Sequence, residues 1–128
     1  MPEISVSDAF SNFNNYLFID AREPEEFNVS HIRNAKFVGY KKITLNALKD
    51  VPKSKPIVVY CAVGKRSENI TKKLTAAGFI NVYNLYGGIF EWVNQDHPVY
   101  NNLNNLTDSV HAYDHFWGQF LNKGKKVY

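Results

Sequence analysis

Pro56-Ile57-Val58-Val59-Tyr60-Cys61-Ala62-Val63-Gly64-Lys65-Arg66-Ser67 is the stretch whose reading decides the fold. Its first five residues are a short apolar run rich in β-branched side chains. That is the composition of a strand buried on both faces, as in parallel sheets. Beyond the loop, Ile70, Leu74 and Ala77 fall at i, i+4 and i+7, one face of a helix over 68–77 that stops at Gly78. The single cysteine therefore sits where a strand gives way to a loop and the loop to a helix N-terminus. Backbone N–H groups converge there and the helix dipole favours negative charge, so a Cys61 thiolate is stabilised. Lys65 and Arg66 add positive charge beside it, and Gly64 lets the loop curl without a Cβ in the way. A free cysteine is often a buried structural thiol. A basic loop with a glycine is unlike the apolar setting that makes such a thiol inert.

Outward from this stretch the same alternation repeats. Towards the N-terminus, Glu3 to Val6 reads as a short strand, Ser7 or Asp8 as the cap of a helix that turns Phe10 and Phe13 inward, and Tyr16-Leu17-Phe18-Ile19 as a second buried strand. Pro24-Glu25-Glu26-Phe27 looks like the first turn of a short helix. Lys36-Phe37-Val38-Gly39 reads as a third strand, and Leu45, Leu48 and Val51 mark another short helix. Towards the C-terminus, Asn81-Val82-Tyr83-Asn84-Leu85 is a strand, and Gly87-Gly88 bends into a helix bearing Ile89, Trp92 and Val93. Strands alternating with short helices imply an α/β fold with a mainly parallel sheet. Sites in such sheets lie beyond the carboxyl ends of the strands, which is where both Asp20-Ala21-Arg22 and Cys61 onward fall.

Composition narrows the function classes. With 128 residues, 45% hydrophobic and 21% charged, the chain has the size and balance of one globular domain. The net charge of +3 leans on Lys123, Lys125 and Lys126, too small and too local a surplus to argue for nucleic acid. One cysteine makes neither an internal disulfide nor a cysteine-rich metal site, and nothing suggests secretion. Met1-Pro2-Glu3-Ile4-Ser5 lacks the basic and apolar regions of a signal peptide, and no stretch approaches a membrane span. A cytoplasmic protein without nucleic-acid or membrane partners is expected.

Three signatures in order give the pattern its likeness. Asp20-Ala21-Arg22-Glu23-Pro24-Glu25-Glu26-Phe27, with His31-Ile32 and Ala35, resembles the first signature of the rhodanese-like family. Tyr60 to Ser67 resembles its active-site loop, and Leu85-Tyr86-Gly87-Gly88 with Trp92 its closing signature. The resemblance covers about 3–100, while Ser30 and Asn34 stand where the family often has glycine. It implies a three-layer fold, a central sheet of about five strands flanked by helices. It also implies sulfur transfer: Cys61 attacks the outer sulfur of a donor such as thiosulfate, holds it as a persulfide, and passes it to cyanide or a protein thiol. The N–H groups of Ala62, Val63, Gly64, Lys65, Arg66 and Ser67 would cradle the charge, with Lys65 and Arg66 drawing in a small anionic donor. Asp20 and Arg22 are expected to brace the site loops. A protein donor or acceptor fits the same chemistry, and no cofactor or metal is implied.

Two alternatives stand beside this. The related cysteine phosphatases share the fold but separate cysteine and arginine by five residues, whereas here only Ala62 to Lys65 intervene, a ring fitted to one sulfur. A rhodanese-like interaction module would transfer nothing. Phe90 and Trp92 are expected in the core, and His31 as a hydrogen-bonder at a loop junction. The remaining residues, 101–128, read as an Asn-rich linker and a helix over 107–121. Leu106, just before that helix, and Val110, Tyr113, Trp117, Phe120 and Leu121 within it fall close to one face, an apolar stripe expected to pack on the domain. His111, Asp114 and His115 share ligand-like spacing on the other side. With no further ligand nearby, no metal is assigned to them.

Overall fold

The computed structural model describes residues 2–128 of the chain; Met1, part of the N-terminal reading, lies outside them. β1 (Glu3–Ile4), α1 (Val6–Ser11), β2 (Leu17–Asp20), α2 (Pro24–Val29), β3 (Lys36–Phe37), β4 (Ile57–Tyr60), α3 (Lys65–Ala76), β5 (Val82–Leu85) and α4 (Gly88–Asn94) follow one another in sequence. The five strands form one sheet in the order β1-β5-β4-β2-β3, every pair parallel. β4 lies at its centre, and all four of its residues are buried. Alternate side chains of a strand face opposite sides. Val58 and Tyr60 accordingly join a core with Val6 and Ala9 of α1 and Ile89, Phe90 and Trp92 of α4. Ile57 and Val59 join a second core with Ile70 and Leu74 of α3. Apolar layers on both faces make this the expected three-layer α/β architecture.

Local readings shift by a few residues. The cap of α1 is Ser5, whose hydroxyl accepts from the Asp8 amide at 3.0 Å, so Ser7 and Asp8 lie inside the helix. Phe10 is exposed rather than inward, its ring stacked on His97 at 3.9 Å. The expected strand from Lys36 to Gly39 pairs only at Lys36–Phe37, and the helix around Leu48 shortens to one 3-10 turn, Asn46–Leu48.

The C-terminal expectation is overturned. Instead of one helix over 107–121 there are β6 (Val99–Tyr100), β7 (Leu106–Thr107), β8 (Ser109–His111), α5 (His115–Gly118) and β9 (Lys125–Val127). β6 pairs antiparallel with β7, and β8 parallel with β9. The physical reason is local competition for backbone groups. Thr107 Oγ1 accepts from the Ser109 amide at 3.2 Å, and His111 Nδ1 from the Tyr113 amide at 3.0 Å. Tyr113 takes a left-handed φ of 69°, which no helix tolerates, and Asp114 starts a new short helix by accepting from the Trp117 amide. The stripe therefore scatters: Val110 and Leu121 are buried in the first core, while Leu106, Tyr113 and Phe120 are exposed. The supposed Asn-rich linker is a hairpin loop, in which Asn101 Oδ1 accepts from the amides of Leu103 and Asn105.

Candidate active site

The site is built at the carboxyl end of β4. Tyr60 ends the strand, Cys61 follows, and Gly64 at φ 104° turns the chain into α3, which begins at Lys65. The Cys61 side chain is 1% exposed. Its Sγ accepts the Gly64 amide at 3.1 Å and lies 3.4 Å from the Ser67 hydroxyl. That hydroxyl carries one proton and also faces Asn84 Oδ1, while Asn84 Nδ2 donates to the Gly64 carbonyl at 3.0 Å. Asn84 on β5 thus pins the end of the loop where it enters α3. The start of α4 pins it from above, with the amides of Ile89 and Phe90 donating to the carbonyls of Cys61 and Ala62 at 2.9 and 3.1 Å. A Cβ at Gly88 would run into those same carbonyls. This close approach is why the Gly87-Gly88 bend carries glycine.

Asp20 and Arg22 are fully buried and form an ion pair. Arg22 Nε and Nη2 donate to the two Asp20 oxygens at 2.9 and 2.6 Å, and Nη2 also donates to the Ser30 carbonyl at 2.7 Å. Burial alone would lower the Arg22 pKa, but Asp20 holds it above its ordinary value. The pair ties the end of β2 to the residues after α2. Its guanidinium lies 5.6 Å from the ring of Tyr60, the residue before Cys61. Burial and the Asp20 charge push the Tyr60 phenol well above its usual value. His31 joins the same region, its Nδ1 3.0 Å from the Phe27 carbonyl and its ring stacked on Phe27.

The two loop cations part company. Lys65 is exposed and in no ion pair among the described residues. Arg66 is committed to Glu26, Nη1 and Nη2 donating to its two oxygens at 2.6 and 2.8 Å. Burial opposes both charges, but the paired hydrogen bonds raise the Arg66 pKa and lower that of Glu26. Arg66 is therefore neutralised, against the expectation that it draws in an anion. Over its guanidinium, 4.7 Å away, lies the ring of Tyr113.

Cys61 faces a cleft of about 140 Å³ lined by Cys61, Ala62, Val63, Lys65, Arg66, Tyr113 and Trp117. Gly64 and Ser67 contact the sulfur without lining this cleft. Glu26, Asn84, Tyr113 and Trp117 were not singled out as site residues from the sequence. Glu26 could have been suspected from its place in the first turn after Pro24. Tyr113 and Trp117 had no signal, because their position depends on how the C-terminal segment folds back. His111, Asp114 and His115 do not converge: His111 accepts from a backbone amide, Asp114 caps α5, and His115 stacks on Tyr128.

With this geometry in hand, the family model for the Rhodanese-like domain matches residues 6–95. The chain belongs to the rhodanese-like family. A thiosulfate sulfurtransferase of Coxiella burnetii, GlpE, is 34% identical over 73 residues, 57% of this chain and 67% of that protein. The probable adenylyltransferase/sulfurtransferase MoeZ of Mycobacterium tuberculosis is 33% identical over 81 residues. That match takes in 62% of this chain but only 21% of MoeZ, so the rhodanese-like chain spans about a fifth of that relative. A crystal structure of a Bacillus halodurans protein superposes with a TM-score of 0.71 at 25% identity, covering 80% of this chain and 78% of that one. Both relatives named here are sulfurtransferases by name. No helix among the described residues is long and apolar enough to cross a membrane.

Proposed function

We propose that this rhodanese-like chain moves a sulfane sulfur through a persulfide on Cys61. The observation that carries the reading is Cys61 in the lining of a small cleft, with the Gly64 N–H donating to its sulfur at 3.1 Å. The Cys61 thiolate attacks the outer sulfur of thiosulfate, the new S–S bond forms, and the donor S–S bond breaks with sulfite leaving on the electron pair. Cyanide or a thiolate then attacks the outer sulfur of the persulfide, and the Cys61 thiolate departs. No proton transfer is needed in either step, which suits a site whose buried acid, Asp20, is spent on Arg22. Lys65 attracts the anionic donor, the Gly64 amide holds charge on sulfur, and Asp20 and Arg22 brace the strand end from outside the cleft. A protein thiol as donor or acceptor and a cytoplasmic setting belong to the same proposal.

A phosphatase reading finds less support, because only four residues separate Cys61 from Arg66 and the Arg66 charge is already balanced by Glu26. The interaction-module reading is separated by experiment. Thiosulfate treatment followed by mass spectrometry is expected to add one sulfur atom to the wild-type chain and none to Cys61→Ser. A wild-type chain that gains no sulfur would return the protein to the class of binding modules.

A further inference from the structure

Tyr113 and Trp117 lie outside the matched span of 6–95, yet they close the cleft over Cys61. Their position is built in. Tyr113 is held at φ 69° by its amide bond to His111, with its ring on the Arg66 guanidinium. Trp117 sits on α5, capped by Asp114, and packs against the first core. The segment around them is anchored by buried Val110 and Leu121. Asn94 adds to this, donating to the Phe120 carbonyl at 3.0 Å and accepting from the Asn122 amide at 2.7 Å.

Size and charge then limit what can enter. About 140 Å³ is far below the ~300–1,000 Å³ of sites for drug-sized ligands. Arg66 is cancelled by Glu26, which leaves Lys65 as the cation lining the cleft with no ion-pair partner among the described residues, and in the sulfur-transfer reading Cys61 reacts there as a thiolate. Thiosulfate would bring two negative charges to that thiolate, between two aromatic side chains. A donor with one negative charge and a flat apolar substituent matches both the charge and the walls.

We propose that Tyr113 and Trp117 are specificity-determining residues of the Cys61 site, favouring small monoanionic aryl sulfur donors over dianionic thiosulfate. The proposal rests on the sulfur-transfer reading above. In the step concerned, the Cys61 thiolate bonds to the outer sulfur of an arylthiosulfonate, the bond between that sulfur and the sulfonyl sulfur breaks, and an arenesulfinate leaves with the electron pair.

The test measures persulfide formation on the full chain by mass spectrometry, with benzenethiosulfonate and with thiosulfate, and takes the ratio of the two second-order rate constants. Trp117→Ala should lower the ratio about tenfold relative to wild type, the loss of one aromatic contact, and Tyr113→Leu severalfold. Trp117→Phe should keep most of it. If Trp117→Ala does not fold, Trp117→Leu keeps an apolar side chain without the ring and should lower the ratio severalfold. Ratios unchanged in folded variants that still form persulfide would overturn the aromatic wall alone. No persulfide from either donor would overturn the sulfur-transfer reading, and the wall with it.

Discussion

The matched segment and the residues after it hold themselves together by different physics. Up to α4, parallel strands are spaced by helices, and burial follows strict periodicity, Ile57 and Val59 to one core and Val58 and Tyr60 to the other. From β6 onward, two- and three-residue strands are held by side chains bonding to nearby backbone, those of Asn101, Thr107, His111 and Asp114. The first region carries Cys61, and the second supplies two walls of the cleft beside it. A segment of short elements held by local side-chain bonds can therefore be fixed against the sheet, provided a few apolar side chains such as Val110 and Leu121 dock it.

The sharpest way to break this division is chemical. Cys61→Ser should abolish thiocyanate formation from thiosulfate and cyanide, while no single change in 96–128 should do so. Thiocyanate release by the serine variant, followed by a colorimetric assay, would mean that the chemistry lies elsewhere.

Docking is tested next, in denaturant melts. Leu121 in the second region and Leu74 in the first are both fully buried. Each Leu→Ala change should cost about 3 kcal/mol, the lost transfer free energy plus a cavity. A cost for Leu121→Ala of well under about 1 kcal/mol would make the C-terminal segment an appendage despite its place in the core. Trp117 is only half-buried, so Trp117→Ala should cost about 1–2 kcal/mol, less than full burial would imply.

The Glu26–Arg66 pair lies at the seam, under Tyr113, and its contribution should depend on pH. Burial favours the neutral acid, but Arg66 brings the Glu26 pKa below its ordinary 4.5. A depressed carboxylate stabilises the fold fully above its unfolded pKa and loses that contribution as pH falls through the folded one. Stability should therefore decline below about pH 4.5 by this route, and Glu26→Gln should flatten that part of the profile. At neutral pH the same variant should cost about 2 kcal/mol, less than a fully buried pair, because Arg66 retains some contact with solvent. It should also lower KM for thiosulfate by releasing the Arg66 charge into the cleft. An unchanged KM would mean that the guanidinium stays pinned by Tyr113 alone.

The smallest expected effect concerns His97, whose pKa is lowered by burial against Phe10 and Trp92, with Asp96 opposing. A base with a depressed pKa stabilises the fold above its unfolded value, so a slight loss should appear as pH falls below about 6.5. Phe10→Ala, which removes the stacked ring and leaves Trp92, should reduce that slope in melts across pH 5–7.

Residues 56–78 alone determined the strand–loop–helix with Cys61 at its turn, because short-range periodicity and a glycine in a basic loop suffice to specify it. The parallel sheet followed from repeating that alternation, and Asp20 and Arg22 were legible as residues near the site from their place at a strand end, though not as partners of each other. Only the tertiary structure decided that Arg66 spends its charge on Glu26, forty positions away, since charge pairing across the fold leaves no mark on local sequence. It also decided that Asn84 pins the loop from β5, and that 107–121 is not a helix. The apolar spacing there matched a helical face, but hydroxyl, imidazole and carboxylate side chains took the backbone amides first. What Tyr113 and Trp117 cover depends on that outcome, so the shape of the Cys61 cleft could not be read until the chain had folded back over it.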